Sequence, residues 1–237
     1  MNIRTLHEWN LPPREAVALQ KTLAASINVL NAVDVAGCRL VAGVDVSSNK
    51  FDPVLTAGII VWDRRTGQVV DQSFVQEKST FPYTPGLLSF REIPVLTNAI
   101  SHLQTVPHAI LVDGHGIAHP RRLGIAAHLG LLVDVPTVGV AKSRLTGIFA
   151  EPGVKAGSIS PLLDADEQIG VALRLKDNVQ PVLVSPGNHI NMASAVELVI
   201  ACARGYKLPE PTRLAHLYVN AMRVGTGTPG AQASLFA

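Results

Sequence analysis

Apolar residues recur at helical spacing near the start of the chain and then gather into short runs typical of strands. After Pro12 and Pro13, apolar positions three or four residues apart continue to Leu30, which predicts an amphipathic helix. Strands are predicted at 40–45, 57–62 and 68–75. The polar segment that joins the last two strands ends in Gly67, which favours an antiparallel hairpin.

The rest of the chain alternates between helical and extended patterns. Helices are predicted over 87–103, with Pro94 kinking or restarting the helix, over 122–132, and over 193–204, closed by Gly205. Extended segments and one loop separate them: strands at 109–113 and 137–140, an exposed loop at 151–160, and a hairpin of 170–175 with 182–185. This order of elements predicts a mixed α/β fold.

The domain organisation follows from the absence of repeats and of long linkers in the sequence. We predict one domain over 1–225 and a disordered tail over 226–237, where small residues and glycine predominate. With 47% hydrophobic and 16% charged residues, the chain can bury a sizeable core. The net charge of +2 requires that any nucleic-acid binding depend on a local patch.

The expected environment is the cytoplasm. Cys38 and Cys202 are too few for a disulfide framework and are expected to be buried, reduced thiols. The N-terminal residues lack the apolar core of a signal peptide, and no apolar run is long enough to span a membrane. We therefore expect a soluble protein with no membrane partner, acting as a monomer.

The densest chemistry lies at 111–124, where an apolar run ends in Asp113 and two glycines. Ligands of open α/β sheets gather at the carboxyl ends of strands, so Asp113 is well placed for catalysis. Its position alone fits a glycine-containing turn equally well. Four further side chains favour a phosphate site: His115, His119, Arg121 and Arg122. The histidines have zinc-like spacing, but nearby glycines and Pro120 argue against the helix that this spacing requires.

Asp45 also ends an apolar run. If its strand neighbours that of Asp113, the strands lie about 4.8 Å apart and the two side chains can project together. Carboxylates this close repel each other, and a divalent cation lets both ionise. Oxygen ligands without cysteine favour Mg²⁺ or Mn²⁺ over zinc.

Three separated segments resemble the endonuclease V family, the deoxyinosine-directed repair nucleases. They are DGHG with 119–142, FPYTPGLLSFRE at 81–92 and GYKLPEPTR at 205–213. The resemblance covers about residues 10–220. It implies a ribonuclease H-like fold with a mixed central sheet flanked by helices. It also implies Mg²⁺-dependent hydrolysis of the second phosphodiester bond 3′ to deoxyinosine, with Mn²⁺ as a substitute.

The resemblance also implies roles for particular residues. Its catalytic group is Asp45, Glu92, Asp113, Lys142 and His216. Asp45 and Asp113 would be direct metal ligands, and Glu92 would act through a metal-bound water. Its DNA contacts are Pro82, Tyr83, Gly86, Gly114, Gly116, His119, Arg121 and Arg122. Tyr83, at the tip of a proline-stiffened loop, would be a wedge that opens the base stack.

The residues alone also allow other interpretations. Without the resemblance, Glu92 would be an exposed helical glutamate, Lys142 a surface lysine and Tyr83 a ring packed beneath its turn. Two alternative functions are an inosine-specific endoribonuclease and a non-catalytic nucleic-acid-binding module of the same fold. A non-catalytic module would lack at least one of the catalytic acids, whereas Asp45, Glu92 and Asp113 are all present.

Overall fold

A single mixed sheet forms the centre of the protein in the computed structural model, which describes residues 1–49 and 52–225. Within these residues its strands are β1 Leu40–Ser47, β2 Val54–Asp63, β3 Val69–Lys78, β4 Ala109–Val112, β5 Thr137–Ala141, β6 Ile159–Asp164, β7 Glu167–Leu173 and β8 Val182–Asn188. Their order across the sheet is β3-β2-β1-β4-β5-β8-β7-β6. The predicted tail at 226–237 lies outside the described residues.

The described helices are α1 Pro13–Ala24, α2 Leu88–Ser101, α3 Ile125–Leu132, α4 Met192–Ala201 and α5 Glu210–Arg223. The prediction for α1 was too long, because the chain leaves the helix after Ala24 and the Asn28 amide donates to the Asn188 side chain. Helix α2 continues through Pro94 and does not restart there. Helix α4 ends at Ala201, and Gly205 lies in the following turn with a φ of +77°.

Both predicted hairpins are confirmed, since β2 pairs with β3 and β7 pairs with β8 in antiparallel register. One strand was missed. β6 begins inside the segment predicted as a loop and pairs antiparallel with β7. It is an edge strand, which is where a sheet tolerates a proline such as Pro161.

Strands β1, β4 and β5 run parallel at the centre of the sheet. Val44 of β1 pairs with Val112 of β4, and Val112 pairs in turn with Gly139 of β5. Because parallel strands end at the same edge, the residues that follow these pairs are brought together there.

Helices cover both faces of the sheet. Residues of β1 alternate between the two cores, with Val41 on the side of α4 and α5 and Ala42 on the side of α2 and α3. Helix α5 lies unusually close to the sheet, since a Cβ atom at Gly43 would stand 2.0 Å from the Pro211 carbonyl oxygen. This close approach sets α5 beside the end of β1.

The described residues hold no helix that combines the length and apolar character needed to cross a membrane. Cys38 and Cys202 are both buried free thiols, as expected from the sequence.

His128 of α3 is fully buried, and we expect it to make stability pH-dependent. Its Nε2 lies 2.8 Å from His7 Nε2, and burial, assisted by His7, lowers its pKa from 6.5 to about 3. The unfolded chain binds this proton below about pH 6.5 and the folded protein only near pH 3, so stability falls as the pH drops through that window. From pH 7.5 to 5.5, wild type should lose about 1 kcal/mol more than His128→Gln in urea unfolding. Equal losses would contradict a neutral buried histidine.

Candidate active site

Three potential ligand residues meet at the carboxyl edge of the central strands. One ligand atom from each of Asp45, Asp113 and His216 lies within 4.8 Å of the others. Asp45 is the sixth residue of β1 and Asp113 directly follows β4, one position beyond the paired Val44 and Val112. The two aspartates therefore stand at the ends of neighbouring parallel strands.

His216 reaches this edge from α5. Its Nδ1 lies 2.8 Å from Asp45 Oδ2, and this hydrogen bond raises the pKa of the imidazole. Asp45 shares a strand face with Gly43, the residue that lets α5 approach, so the glycine and the histidine contact are parts of one arrangement. The resemblance implied that His216 is catalytic, and the structure adds it to the group of possible metal ligands.

Lys142 follows β5 and forms an ion pair with Asp113. The residue after β5 is thus a lysine, and it lies beside the aspartates at the ends of β1 and β4. Burial and the nearby Asp45 raise the pKa of Asp113, and Lys142 opposes that shift. The positive charge of Lys142 therefore does not fully compensate the negative charge of Asp113 and Asp45.

Glu92 lies in the same cavity, of about 290 Å³, but outside the three-residue cluster. It shares one face of α2 with Leu88 and Leu96, four residues away on either side, and all three line the cavity. Burial, and secondarily the Asp45 carboxylate, raises the pKa of Glu92 to about 8. Its position suits the predicted indirect contact better than direct ligation.

This donor set fits a hard divalent cation. Two carboxylates and an imidazole converge within one ligand shell, with a third carboxyl group nearby, and cysteine is absent from the cluster. The raised pKa values of Asp113 and Glu92 mean that an added positive charge would stabilise their ionised forms. Oxygen-rich sites of this kind prefer Mg²⁺ or Mn²⁺.

A second cavity, of about 310 Å³, adjoins the first, and Leu88 and Ile125 line both. Gly114 contributes to its wall, and Tyr83 lies at its rim with 73% of the residue exposed. The exposure of Tyr83 contradicts the interpretation of a ring packed beneath its turn. Pro82 is exposed and lies outside the lining.

The Gly86 carbonyl holds the Tyr83 loop in place. It accepts hydrogen bonds from Gln20 Nε2 at 3.0 Å, from His119 Nε2 at 3.1 Å and from Arg121 Nη2 at 2.7 Å. Gly86 itself has a φ of +77°, which a side chain would strain. Sequence reasoning missed Gln20, although a polar residue one helical turn after buried Ala16 was a usable signal.

His119 is buried and lines the second cavity. Burial, followed by the charge of Arg121, lowers its pKa to about 4. The imidazole is therefore neutral at physiological pH, so any contact with a nucleic acid would be a hydrogen bond or a packing contact and not an ion pair.

Gly116 lies where the loop after β4 crosses β8. Its amide donates to Ser185 Oγ at 2.8 Å, and a Cβ atom there would stand 1.9 Å from the Pro186 carbonyl oxygen. The glycine is thus required for packing, and it is not part of the second cavity's lining. Its place among the DNA contacts stays a prediction.

The two adjacent arginines differ in their partners. Arg122 pairs with Asp164 and Glu167 at 2.8 and 2.7 Å, so its charge is compensated. Arg121 bonds to Gln20 and Gly86 and has no carboxylate partner among the described residues. Neither arginine lines the two cavities; the phosphate-contact role stays a prediction, and the compensated charge of Arg122 makes Arg121 the stronger candidate of the two.

The salt dependence of DNA binding should separate them. Each phosphate contact contributes about 0.9 to the slope of log affinity against log salt concentration on duplex DNA. We expect Arg121→Ala to reduce the slope by about that amount, and Arg122→Ala, the matched control, to leave it nearly unchanged. Titrations at several salt concentrations measure this, and an unchanged slope in Arg121→Ala would remove that residue from the phosphate contacts.

The mixed sheet flanked by helices defines a ribonuclease H-like fold, with an acidic cluster at the ends of its central strands. The family profile for Endonuclease V matches residues 21–217. An Endonuclease V from Gloeobacter violaceus is 48% identical over 221 residues, covering 92% of this chain and 89% of the relative. The chain therefore belongs to the Endonuclease V family.

Solved structures agree with this assignment. The crystal structure of Endonuclease V from Bacillus subtilis has a TM-score of 0.90 at 28% identity, covering 95% of this chain and 98% of that one. Endonuclease V from Ciona intestinalis, in complex with a 24mer DNA containing an inosine followed by a ribo-adenosine, has a TM-score of 0.77 at 25% identity. It covers 90% of this chain and 98% of that one. The predicted fold class is confirmed.

Proposed function

We propose that this protein is a metal-dependent nuclease that recognises deoxyinosine in DNA and hydrolyses the second phosphodiester bond 3′ to it. The observation that carries the proposal is that the cavity with the acid cluster directly adjoins a second cavity. One holds the acid and histidine cluster, the other has an exposed tyrosine at its rim, and Leu88 and Ile125 separate them. The inosine-containing DNA bound to the Ciona relative supports the same substrate class.

Asp45, Asp113 and His216 would hold the metal, with Glu92 acting through a water molecule. A bound Mg²⁺ or Mn²⁺ ion would supply Lewis-acid polarisation of the phosphate and a lowered pKa of the attacking water. His216 Nδ1 donates a hydrogen bond to Asp45 Oδ2 and thereby fixes the orientation of that carboxylate.

Lys142 would bind the scissile phosphate. Its ammonium group is already held at the cluster by Asp113 while its side chain remains partly exposed. A substrate phosphate brings negative charge to the same place, so the lysine can neutralise it without moving far.

The second cavity would receive the extruded base. Enzymes that select a modified base commonly rotate it out of the stack, and an inserted side chain holds the gap open. Tyr83 stands exposed on a loop whose Gly86 carbonyl is fixed by three donors, as an inserted side chain requires. Hypoxanthine lacks the exocyclic amine of guanine, so a close-fitting cavity excludes guanine sterically.

The test is a cleavage assay with product mapping. A labelled strand containing deoxyinosine is incubated with the protein and Mg²⁺, beside the same strand with adenine and an RNA strand with inosine. We expect a nick at the second bond 3′ to deoxyinosine. Faster cleavage of the inosine RNA would favour the endoribonuclease alternative, and binding without any cleavage would favour the non-catalytic module.

A further inference from the structure

A third cavity, of about 270 Å³, borders the catalytic one, with Lys142 in the lining of both. Its other lining residues are Tyr206, Lys207, Leu208 and Arg213. They belong to the segment between α4 and the first turns of α5, which the functional assignment so far does not use. The cavity shares no lining residue with the proposed base cavity.

Tyr206 is built as a fixed aromatic platform. It is 47% exposed, and the Arg213 guanidinium carbon lies 4.3 Å from the centre of its ring. That guanidinium donates two hydrogen bonds to the Glu210 carboxylate, of 2.8 and 2.7 Å. The arginine therefore cannot easily leave the ring, and the tyrosine is held while much of its surface faces solvent. A ring placed only for core packing would be covered, as Tyr218 is at 4% exposure.

The charge around this platform is positive. Lys142, Lys207 and Arg213 line the cavity, and its lining contains no acidic residue. Glu210 compensates Arg213, whereas Lys207 has no ion-pair partner in the part of the chain that the structure describes. The wall of the cavity is itself apolar, and cationic side chains beside an exposed aromatic ring are the usual arrangement for holding a single nucleic-acid strand.

We propose that Tyr206 and Lys207 bind the substrate strand on the 3′ side of the bond that is cut. The proposal rests on the proposed function, which places the lesion base in the cavity beyond Leu88 and Ile125. The strand then continues past the acid cluster and Lys142, and the next surface that it meets is the Tyr206 cavity. A base stacks on the exposed part of the ring, and Lys207 contacts the adjoining phosphate.

The test combines a variant with a change in substrate length. Two single strands carry deoxyinosine and the same 5′ flank. One continues for several nucleotides beyond the cut, and the other ends at the first nucleotide after it. Affinity is measured in Ca²⁺, so that binding is separated from turnover. Tyr206→Ala should weaken binding of the long strand by about 5- to 150-fold, the range for loss of one stacked base, and leave the short strand unaffected.

Matched variants make the result specific. Tyr206→Phe should retain the affinity, because stacking requires the ring. Lys207→Ala should reduce the salt slope for the long strand only, by about 0.7, the value per phosphate on a single strand. Val106→Ala removes an exposed apolar side chain from another surface and should change neither substrate.

An equal loss on both strands, or no loss on the long strand, would overturn the proposal. Failure of the proposed function has a different signature: wild type would not prefer the deoxyinosine strand to an adenine strand. The length dependence of the Tyr206 variants can be measured in either case, so the two outcomes are distinguishable.

Discussion

Alanine at Asp45 or at Asp113 is expected to reduce cleavage of a deoxyinosine strand at least about a thousandfold. Both carboxylates offer oxygen atoms to the same ligand cluster, and the loss of either removes a charge that a divalent cation requires. A catalytic metal contributes several kcal/mol to transition-state stabilisation, at about 1.4 kcal/mol for each factor of ten. Rates under single-turnover conditions in Mg²⁺ measure the effect directly.

The fold should survive these substitutions. Asp45 and Asp113 are mutually repulsive, as is Glu92 beside Asp45, so removal of one charge should leave the melting temperature unchanged or raise it. Added Mg²⁺ should raise the melting temperature of wild type and not that of either variant. Asp166→Ala, in the turn between β6 and β7, is the control for loss of one exposed negative charge. Near-wild-type cleavage by either cluster variant would show that the ligand assignment is wrong.

The positions of the two aspartates were predictable because each one ends an apolar run. Their proximity was not, since it depends on the parallel pairing of Val44 with Val112, and hydrophobic periodicity carries no information about which strands pair. The contribution of His216 depended on the family resemblance. Its place in the cluster follows from the close approach of α5, which Gly43 permits.

The cationic loop after β4 is where local reasoning was least informative. The many histidines and arginines in this loop predicted a shared role in phosphate binding. In the structure these side chains instead have different partners, which lie far away in the sequence. His119 is neutral and holds the Gly86 carbonyl, whereas Arg122 pairs with Asp164 and Glu167 of the β6–β7 hairpin. Asp164 could not be inferred as a partner because β6 was not predicted, and Glu167 lies before the segment that was predicted as the next strand. Strand β6 is at the edge of the sheet and contains Pro161, so it lacks the strong apolar pattern that marks central strands.

Replacement of Tyr83 by alanine should weaken lesion binding by roughly 5- to 150-fold, because a base-stacking aromatic contributes about 1–3 kcal/mol. Tyr83 belongs neither to the cluster of possible metal ligands nor to the lining of the cavity that holds it, so metal affinity should not change. Tyr83→Phe should retain most of the activity, since the wedge requires the ring and not the hydroxyl group. Binding and cleavage assays on all three proteins give the comparison.

Two measurements together distinguish a wedge role of Tyr83 from a structural role: activity on duplex and single-strand substrates, and the melting temperature. A duplex lesion should suffer more from Tyr83→Ala than the same deoxyinosine in a single strand, because only the duplex has an opened stack to hold apart. The melting temperature should hardly change, since the residue is 73% exposed and little packing is lost. A large drop in melting temperature with equal losses on both substrates would instead assign Tyr83 to the support of its loop. The fixed Gly86 carbonyl makes the wedge result the expected one, because the loop is already held by Gln20, His119 and Arg121.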